Sequence, residues 1–338
     1  MKRNMSDWKN SILQSKEKKA MPIMTYPGLN LTGKSVMEMV TNGEIQFQCI
    51  QALSARYPSI ASATMIMDLS VEAEAFGSRI IFSTHEIPTV SKQLINSFSE
   101  IDHLVIPATG QGRTGENLKA ASLAVQQITD RPVFGGIIGP FSLAGRLIDI
   151  SEMMTGILID PDGARSLLDI CTSFLKNYAR HFKDIGADGI VIAEPAAGLL
   201  APEECHEFSS GYVKMIVDYV QDENFMVILH NCGNTLSLVN SMLTTGSAGF
   251  HFGNAVDLAE ILPQIPPDRL VFGNLDPSGV IKNSNPETIY TKTICLLKKT
   301  SPYNNHVLSS GCDIPPGTPL DNLDSMFNAL DHYNKLLT

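Results

Sequence analysis

An apolar run, Val227-Ile228-Leu229, leads into His230-Asn231-Cys232 and then into the turn Gly233-Asn234-Thr235. Residues two apart on a strand project to the same side, so His230 and Cys232 can aim at one point. An imidazole and a thiolate so placed form a zinc-type pair, and such a pair at a strand's exit needs further ligands from elsewhere in the chain. Cys312 is the candidate, in the stretch Ser310-Gly311-Cys312-Asp313 that follows a second apolar run, His306-Val307-Leu308. The expectation is that His230, Cys232 and Cys312 meet at one metal ion. The competing reading is a buried histidine and two core cysteines that never meet, and spacing alone does not choose between them.

For these side chains to converge, the strands that carry them must lie in one sheet. Apolar strand-like segments are expected over 62–67, 132–138, 189–193, 225–229, 249–252, 270–272 and 306–308, with a further short strand over 79–82. Helical segments separate them, among them 116–128, 161–185, 202–220, 286–299 and 320–336. Strands alternating with helices imply parallel pairing through right-handed crossovers. No linker or composition break divides the chain. The pattern therefore predicts an α/β protein, a single (β/α)8 TIM-barrel domain across residues 1–338. Residues 1–19 would form an N-terminal helical extension, read as an amphipathic helix from Ser6 to Lys19 with Ser6 as its N-cap, and the barrel would begin near residue 20.

In such barrels the C-terminal mouth carries the chemistry. Asp68, Glu194, His230, Cys232, Asn254, Asn274, Asp276 and Cys312 all fall at or just past the ends of the expected strands. Each alone reads as a cap or turn residue; their shared location is the signal. Glu194 and Asp68 are the catalytic candidates. Glu194 has three readings: a fourth ligand in the resting state, a general base, or a carboxylate that fixes the loop before Pro195. His251 lies on an apolar strand and reads first as a hydrogen-bonded structural residue. Asn274 and Asp276 read as organisers of the turn from Gly273 to Pro277. Cys205-His206 resembles a second metal pair, but adjacent residues on a helix diverge.

Gly110-Gln111-Gly112-Arg113-Thr114-Gly115 spells G-x-G-x-x-G ahead of a helix. A dinucleotide cradle would need an acidic residue at the end of the next strand, where this chain has Gly139-Pro140, so a connecting loop is the better reading.

The net charge of −10 argues against general nucleic-acid binding, which relies on Lys and Arg neutralising phosphates. A hydrophobic fraction of 43% suits an ample core. No stretch approaches the roughly 18 apolar residues of a membrane span. Met1 to Lys19 is charged and lacks the apolar segment of a secretory signal, so the expectation is a cytoplasmic protein. Six cysteines in a chain of 338 residues fit free thiols and metal ligation better than a disulfide framework. Cys49, Cys171 and Cys295 read as small core residues.

Several stretches resemble the uroporphyrinogen decarboxylase superfamily of (β/α)8 barrels. They are Tyr57-Pro58 through Met67-Asp68 with Ala75-Phe76-Gly77, Gly136-Ile137-Ile138-Gly139-Pro140-Phe141-Ser142, and Gly186-Ala187-Asp188-Gly189 through Glu194-Pro195. His230-Asn231-Cys232-Gly233-Asn234-Thr235, Gly273-Asn274-Leu275-Asp276-Pro277 and Ser310-Gly311-Cys312-Asp313-Ile314-Pro315-Pro316-Gly317 complete the set. The decarboxylases carry an arginine-rich motif, Arg-Gln-Ala-Gly-Arg, after the first strand. Here the corresponding stretch, Met24-Thr25-Tyr26-Pro27-Gly28-Leu29-Asn30, has no arginine, and Cys312 stands where the decarboxylases tend to show histidine.

Both departures point away from porphyrin decarboxylation, and the other branch is that of the zinc-dependent corrinoid methyltransferases, typified by methylcobamide:coenzyme M methyltransferases. Its signature of His-x-Cys and a distant Cys is matched by His230, Cys232 and Cys312. The resemblance implies Zn2+ held by these three residues, with an acceptor sulfur in the fourth position. It also implies methylcobamide as methyl donor, a corrinoid protein as partner, and a small thiol such as coenzyme M as acceptor. Asp68 matches a position where the decarboxylases keep a substrate-binding aspartate. An acid group on the acceptor calls for a cation near the mouth, for which Arg113, Lys34 and Arg146 are the candidates. The alternatives are a lyase of the decarboxylase type and a non-catalytic barrel that binds corrinoid or zinc.

Overall fold

The computed structural model describes residues 2–337. In chain order its strands are β1 (Ala63–Thr64), β2 (Ile80–Ile81), β3 (Thr89–Val90), β4 (Val133–Ile138), β5 (Gly189–Ala193), β6 (Met226–Asn231), β7 (Gly249–Phe252), β8 (Leu270–Leu275) and β9 (His306–Ser310). One parallel sheet runs β1-β4-β5-β6-β7-β8-β9, while β2 and β3 pair only with each other, antiparallel. The segment expected as a strand over 79–82 therefore belongs to a small hairpin and not to the main sheet.

The eighth position is filled by a segment that its sequence marks only as a short apolar run. Ala20 bridges in parallel to both Ile60 and Leu308. The Met21 amide donates to Leu308 O, the Leu308 amide to Lys19 O and the Ala61 amide to Ala20 O, each at 2.8 Å. These bonds join β9 to the approach of β1 and close the sheet on itself. The fold is a (β/α)8 barrel, with closure removing the open edges that a parallel sheet would otherwise present.

Every residue of β4, β5 and β6 is buried. Helices cover the outer face and packed side chains fill the inner one, so these strands read as continuous apolar runs instead of alternating ones. The interior is a cluster of Met21, Ile23, Phe134, Val191, Met226, Ile228, Leu270, Phe272 and Val307. It is a filled core and not a pore.

The N-terminal helix spans Met5–Leu13 and is capped by Asn4, whose side chain accepts from the Asp7 amide at 2.9 Å. This corrects the reading of Ser6 as cap and of a helix continuing to Lys19. Met5 and Ile12 join the interior cluster, and Trp8 packs on Phe134 with ring centroids 5.9 Å apart. The helix thus covers the barrel floor, the end opposite the strand exits.

Two other expectations change in detail. The helix expected over 202–220 is interrupted by a wide π-turn at His206–Ser210 between Pro202–Cys205 and Gly211–Val220. Cys49 and Cys171 are buried as expected, but Cys295 is exposed on the helix Pro286–Lys299, because Ile289, Thr293 and Leu297 take the inward face.

Glu72, on the helix Val71–Phe76, is fully enclosed and accepts from the Ile138 amide at 3.0 Å through one carboxyl oxygen. Its other oxygen has no partner. Burial pushes its pKa from 4.5 up to about 7, against the opposing pull of that amide. Between those values the folded chain holds a proton that the unfolded chain has lost. The group's contribution to stability is thus fully present below 4.5 and is lost as pH rises through 7. The loss is at most about 3 kcal/mol. Glu72→Gln keeps the acceptor for Ile138 and removes the titration. Thermal unfolding at pH 5 and pH 8 should show the variant gaining on the parent at the higher pH, with little difference at the lower one.

Candidate metal centre

His230 lies within β6, Cys232 just past its end, and Cys312 two residues past β9. Two strands, β7 and β8, separate their elements in the sheet, and barrel curvature turns all three side chains toward one region. Their ligand atoms lie within 4.8 Å of one another. The convergence expected from the spacing is present in the fold.

Local packing makes the approach possible. A Cβ on Gly253 would stand 2.5 Å from the Cys232 Cα, and one on Gly311 would stand 2.7 Å from the Asn254 backbone nitrogen. Glycine at both places lets the loops after β6, β7 and β9 nest. Between the two ligand candidates, Asn231 turns the other way and pins the loop. Its amide nitrogen donates to Glu194 O at 2.7 Å and its side-chain oxygen accepts from the Gly233 amide at 2.8 Å.

His230 is 2% exposed, whereas Cys232 and Cys312 are half-buried and free of disulfides. The Nε2 of His230 is buried and has no hydrogen-bond partner, although buried polar atoms are nearly always paired. The hydrogen bond with Cys312, and then the neighbouring His230, pull the Cys232 thiol well below its ordinary range, while the same contact pushes Cys312 up. One imidazole nitrogen with two sulfurs is a donor set suited to zinc, and three protein ligands leave a fourth position open.

The other candidates are placed nearby but are otherwise engaged. Glu194 is buried, and its carboxylate accepts from the Phe141 and Ser142 amides at 3.0 and 2.6 Å, at the start of the helix Pro140–Ile148. Burial raises its pKa to about 7. Its carboxylate lies outside the group of three. Asp68 pairs with Arg113 and accepts from the Ser70 hydroxyl at 2.6 Å. Arg113 also pairs with Glu74, donates to the Ser70 hydroxyl oxygen at 2.8 Å, and lies over the Phe82 ring.

Arg113 is thus committed to two carboxylates and is not a free cation at the mouth, which corrects that expectation. Gly110–Gly112 is a connecting turn, and Arg113, Thr114 and Gly115 already form the first turn of the helix Arg113–Gln127, with Arg113 buried. Lys34 pairs with Glu38 at 3.6 Å. Arg146 lines a cleft of about 490 Å3 together with Lys92, Ser142 and Pro195.

Asn274 donates to the Gly253 and Val256 carbonyls at 2.9 and 2.7 Å, and Asp276 caps the Ser278 and Gly279 amides. Asp276 organises its own turn as expected, whereas Asn274 ties down the loop after β7 instead of the Gly273–Pro277 turn. Cys205 is buried against Ser210 and His206 faces Thr244, so the two diverge as the helix geometry requires. His251 is joined to His230 by a contact of 2.8 Å between their Nδ1 atoms, and its Nε2 meets the Ser309 hydroxyl at 2.9 Å. His251 is hydrogen-bonded, as expected of a histidine on an apolar strand, and His230 and Ser309 are its partners. Ser309 went unnoticed, although a hydroxyl two residues after the inward-facing Val307 is the available signal.

Residues 19–333 match the family described as Uroporphyrinogen decarboxylase (URO-D). The methylcobamide:CoM methyltransferase MtbA of Methanosarcina acetivorans is 30% identical over 273 residues, covering 79% of this chain and 78% of that protein. A uroporphyrinogen decarboxylase of Synechococcus sp. is 27% identical over 247 residues, covering 70% and 68%. Among solved structures, a methyltransferase from Methanosarcina mazei superposes with a TM-score of 0.86 at 22% identity, covering 98% of this chain and 99% of the other. That likeness is one of fold.

Removing one partner of a buried ion pair leaves an uncompensated charge, at a cost of about 3–5 kcal/mol. Arg113→Met should therefore destabilise the chain by that order in denaturant unfolding. Arg113→Met combined with Asp68→Asn and Glu74→Gln should recover most of the loss.

Proposed function

The chain belongs to the uroporphyrinogen decarboxylase family, and from that premise we propose that it is a zinc-dependent methyltransferase. It would move a methyl group from a methylated corrinoid, free or carried by a partner protein, to a small thiol such as coenzyme M. The observation that carries the reading is the buried, unpartnered Nε2 of His230 lying in one group with two thiols. The names of relatives such as MtbA support the same direction.

His230, Cys232 and Cys312 are the residues that would hold zinc. When bound, zinc supplies the Lewis acidity that keeps an acceptor thiol deprotonated at neutral pH. The chain's own residues do the rest. His230 brings a neutral nitrogen donor from the barrel wall, and the two cysteines bring anionic sulfur from flexible-length loops held tight by Gly253 and Gly311. Cys232 and Cys312 are only partly buried, which would leave a side of the site open to substrates. A methylated corrinoid bound at the mouth would supply the methyl group to the acceptor thiolate and keep the bonding electron pair of the carbon–cobalt bond that breaks.

Glu194 and Asp68 shape the mouth in this reading. Glu194 holds the first turn of the helix Pro140–Ile148, and Asp68 holds Arg113. Arg146, beside Lys92, is the cation proposed for the acceptor's acid group. The whole chain is proposed to act as one domain in the cytoplasm; no helix among the described residues is long and apolar enough to cross a membrane. A decarboxylase of the family would have to grip a substrate with many carboxylates, and Arg113 is already neutralised by two.

The test joins metal analysis to methyl transfer. The purified chain should carry one zinc and convert coenzyme M or another small thiol to its thioether with methylcobalamin as donor. His230→Ala, Cys232→Ala and Cys312→Ala should each lower zinc affinity and transfer by at least about 100-fold. Zinc retained in all three variants would remove the site. Bound zinc without thioether from any thiol would favour the non-catalytic barrel.

A further inference from the structure

A line of four buried groups crosses the top layer of the barrel interior, from the eighth strand position to the candidate metal centre. The Ser309 hydroxyl is 2.9 Å from the Met21 carbonyl oxygen, the His251 Nε2 is 2.9 Å from that hydroxyl, and the His230 Nδ1 is 2.8 Å from the His251 Nδ1. His230 and His251 are each 2% exposed and Ser309 is 0% exposed, so no solvent enters the line. β6 and β7 set His230 directly beside His251 in register, and the two rings meet edge to face with centroids 4.6 Å apart. Phe272 lies parallel to the His251 ring, with 6.4 Å between centroids, and fixes its plane.

The direction of every hydrogen bond follows from one fact: a carbonyl oxygen only accepts. Met21 O therefore takes the single proton of the Ser309 hydroxyl. That hydroxyl can then only accept from His251, which places a proton on the His251 Nε2. A neutral imidazole with Nε2–H has a bare Nδ1, and this atom accepts from the His230 Nδ1–H. The His251 carbonyl, 3.3 Å from the same His230 nitrogen, adds a weaker preference for a proton there. With its proton on Nδ1, neutral His230 presents the lone pair of Nε2, the buried nitrogen that has no other partner.

We propose that His251 and Ser309 are positioning residues that lock His230 as its Nδ1–H tautomer and so pre-set Nε2 as a metal-binding atom. The inference rests on the zinc reading given above for its purpose, but its geometry stands without any metal. Partners of this kind, one bond removed from a metal, typically change affinity by about 10- to 100-fold when lost. Ser309→Ala frees His251 to turn its proton toward His230, which would put the His230 proton on the wrong nitrogen. His251→Phe keeps the ring's shape against Phe272 and removes the acceptor.

Nitrogen-15 spectra of the metal-free parent should show a protonated Nδ1 on His230, and Ser309→Ala should reduce that population. Competition with a chromophoric chelator should show zinc dissociation constants about 10-fold weaker in Ser309→Ala and up to about 100-fold weaker in His251→Phe. Thermal unfolding of both variants should remain cooperative. A bare Nδ1 in the parent would overturn the proposal, as would zinc affinities within twofold of the parent in both folded variants. A parent that binds no zinc yet keeps Nδ1 protonated would sink the metal reading and leave the tautomer lock standing.

Discussion

Two backbone hydrogen bonds between residues 19–21 and Leu308, with one from Ala61 to Ala20 on the other side, hold the sheet shut, and the candidate metal centre depends on that closure. In a flat parallel sheet β6 and β9 would stand three strand spacings apart, roughly 14 Å. Bending the sheet into a barrel brings the ends of these strands around one axis, so that side chains leaving β6 and β9 converge within 4.8 Å. The same two bonds carry the Met21 carbonyl to the side of Ser309, from which the alignment of His251 and His230 starts. A closure made far from any reactive atom thus sets both the distance between the ligand candidates and the face that the imidazole shows them.

Around this centre the mouth is held by buried carboxylates at work on the backbone. Glu72 and Glu194 reach the exit of β4 from two sides: one takes the Ile138 amide, the other the Phe141 and Ser142 amides. Both carboxyls are enclosed enough that burial moves them up to about 7. Asp68 and Glu74 are instead met by Arg113, whose planar guanidinium satisfies both at once. Acidic side chains at the mouth need not be acids in the reaction; here the geometry gives these four to loop and helix ends.

The parts of the design that repeat or lie close in sequence were legible. His230 and Cys232 stand two apart on one strand, and the period of a strand is enough to aim them together. Cys312 followed because its apolar run ends as theirs does, and the strand–helix alternation named the barrel. What escaped depended on contacts without a local pattern. Residues 20–23 close the barrel, yet the run is short and contains Pro22, which a strand search discounts. Arg113 looked like a free cation because the carboxylates that take it lie 45 and 39 positions away. His251 announced polarity on an apolar strand, but its meaning lay in neighbours 21 and 58 positions distant. Asn4 caps the first helix where Ser6 was equally eligible by type, and only the observed hydrogen bond decides between them.

The N-terminal helix, with Met5, Trp8 and Ile12 packed into the barrel floor, has a kinetic meaning for a two-substrate reaction. With the floor covered and the interior filled among the described residues, a small thiol and a large planar corrinoid would both approach the candidate centre from the mouth. In the proposed reaction a broad corrinoid seated over the mouth would cover the place that a thiol must reach, which favours an order in which the thiol enters first.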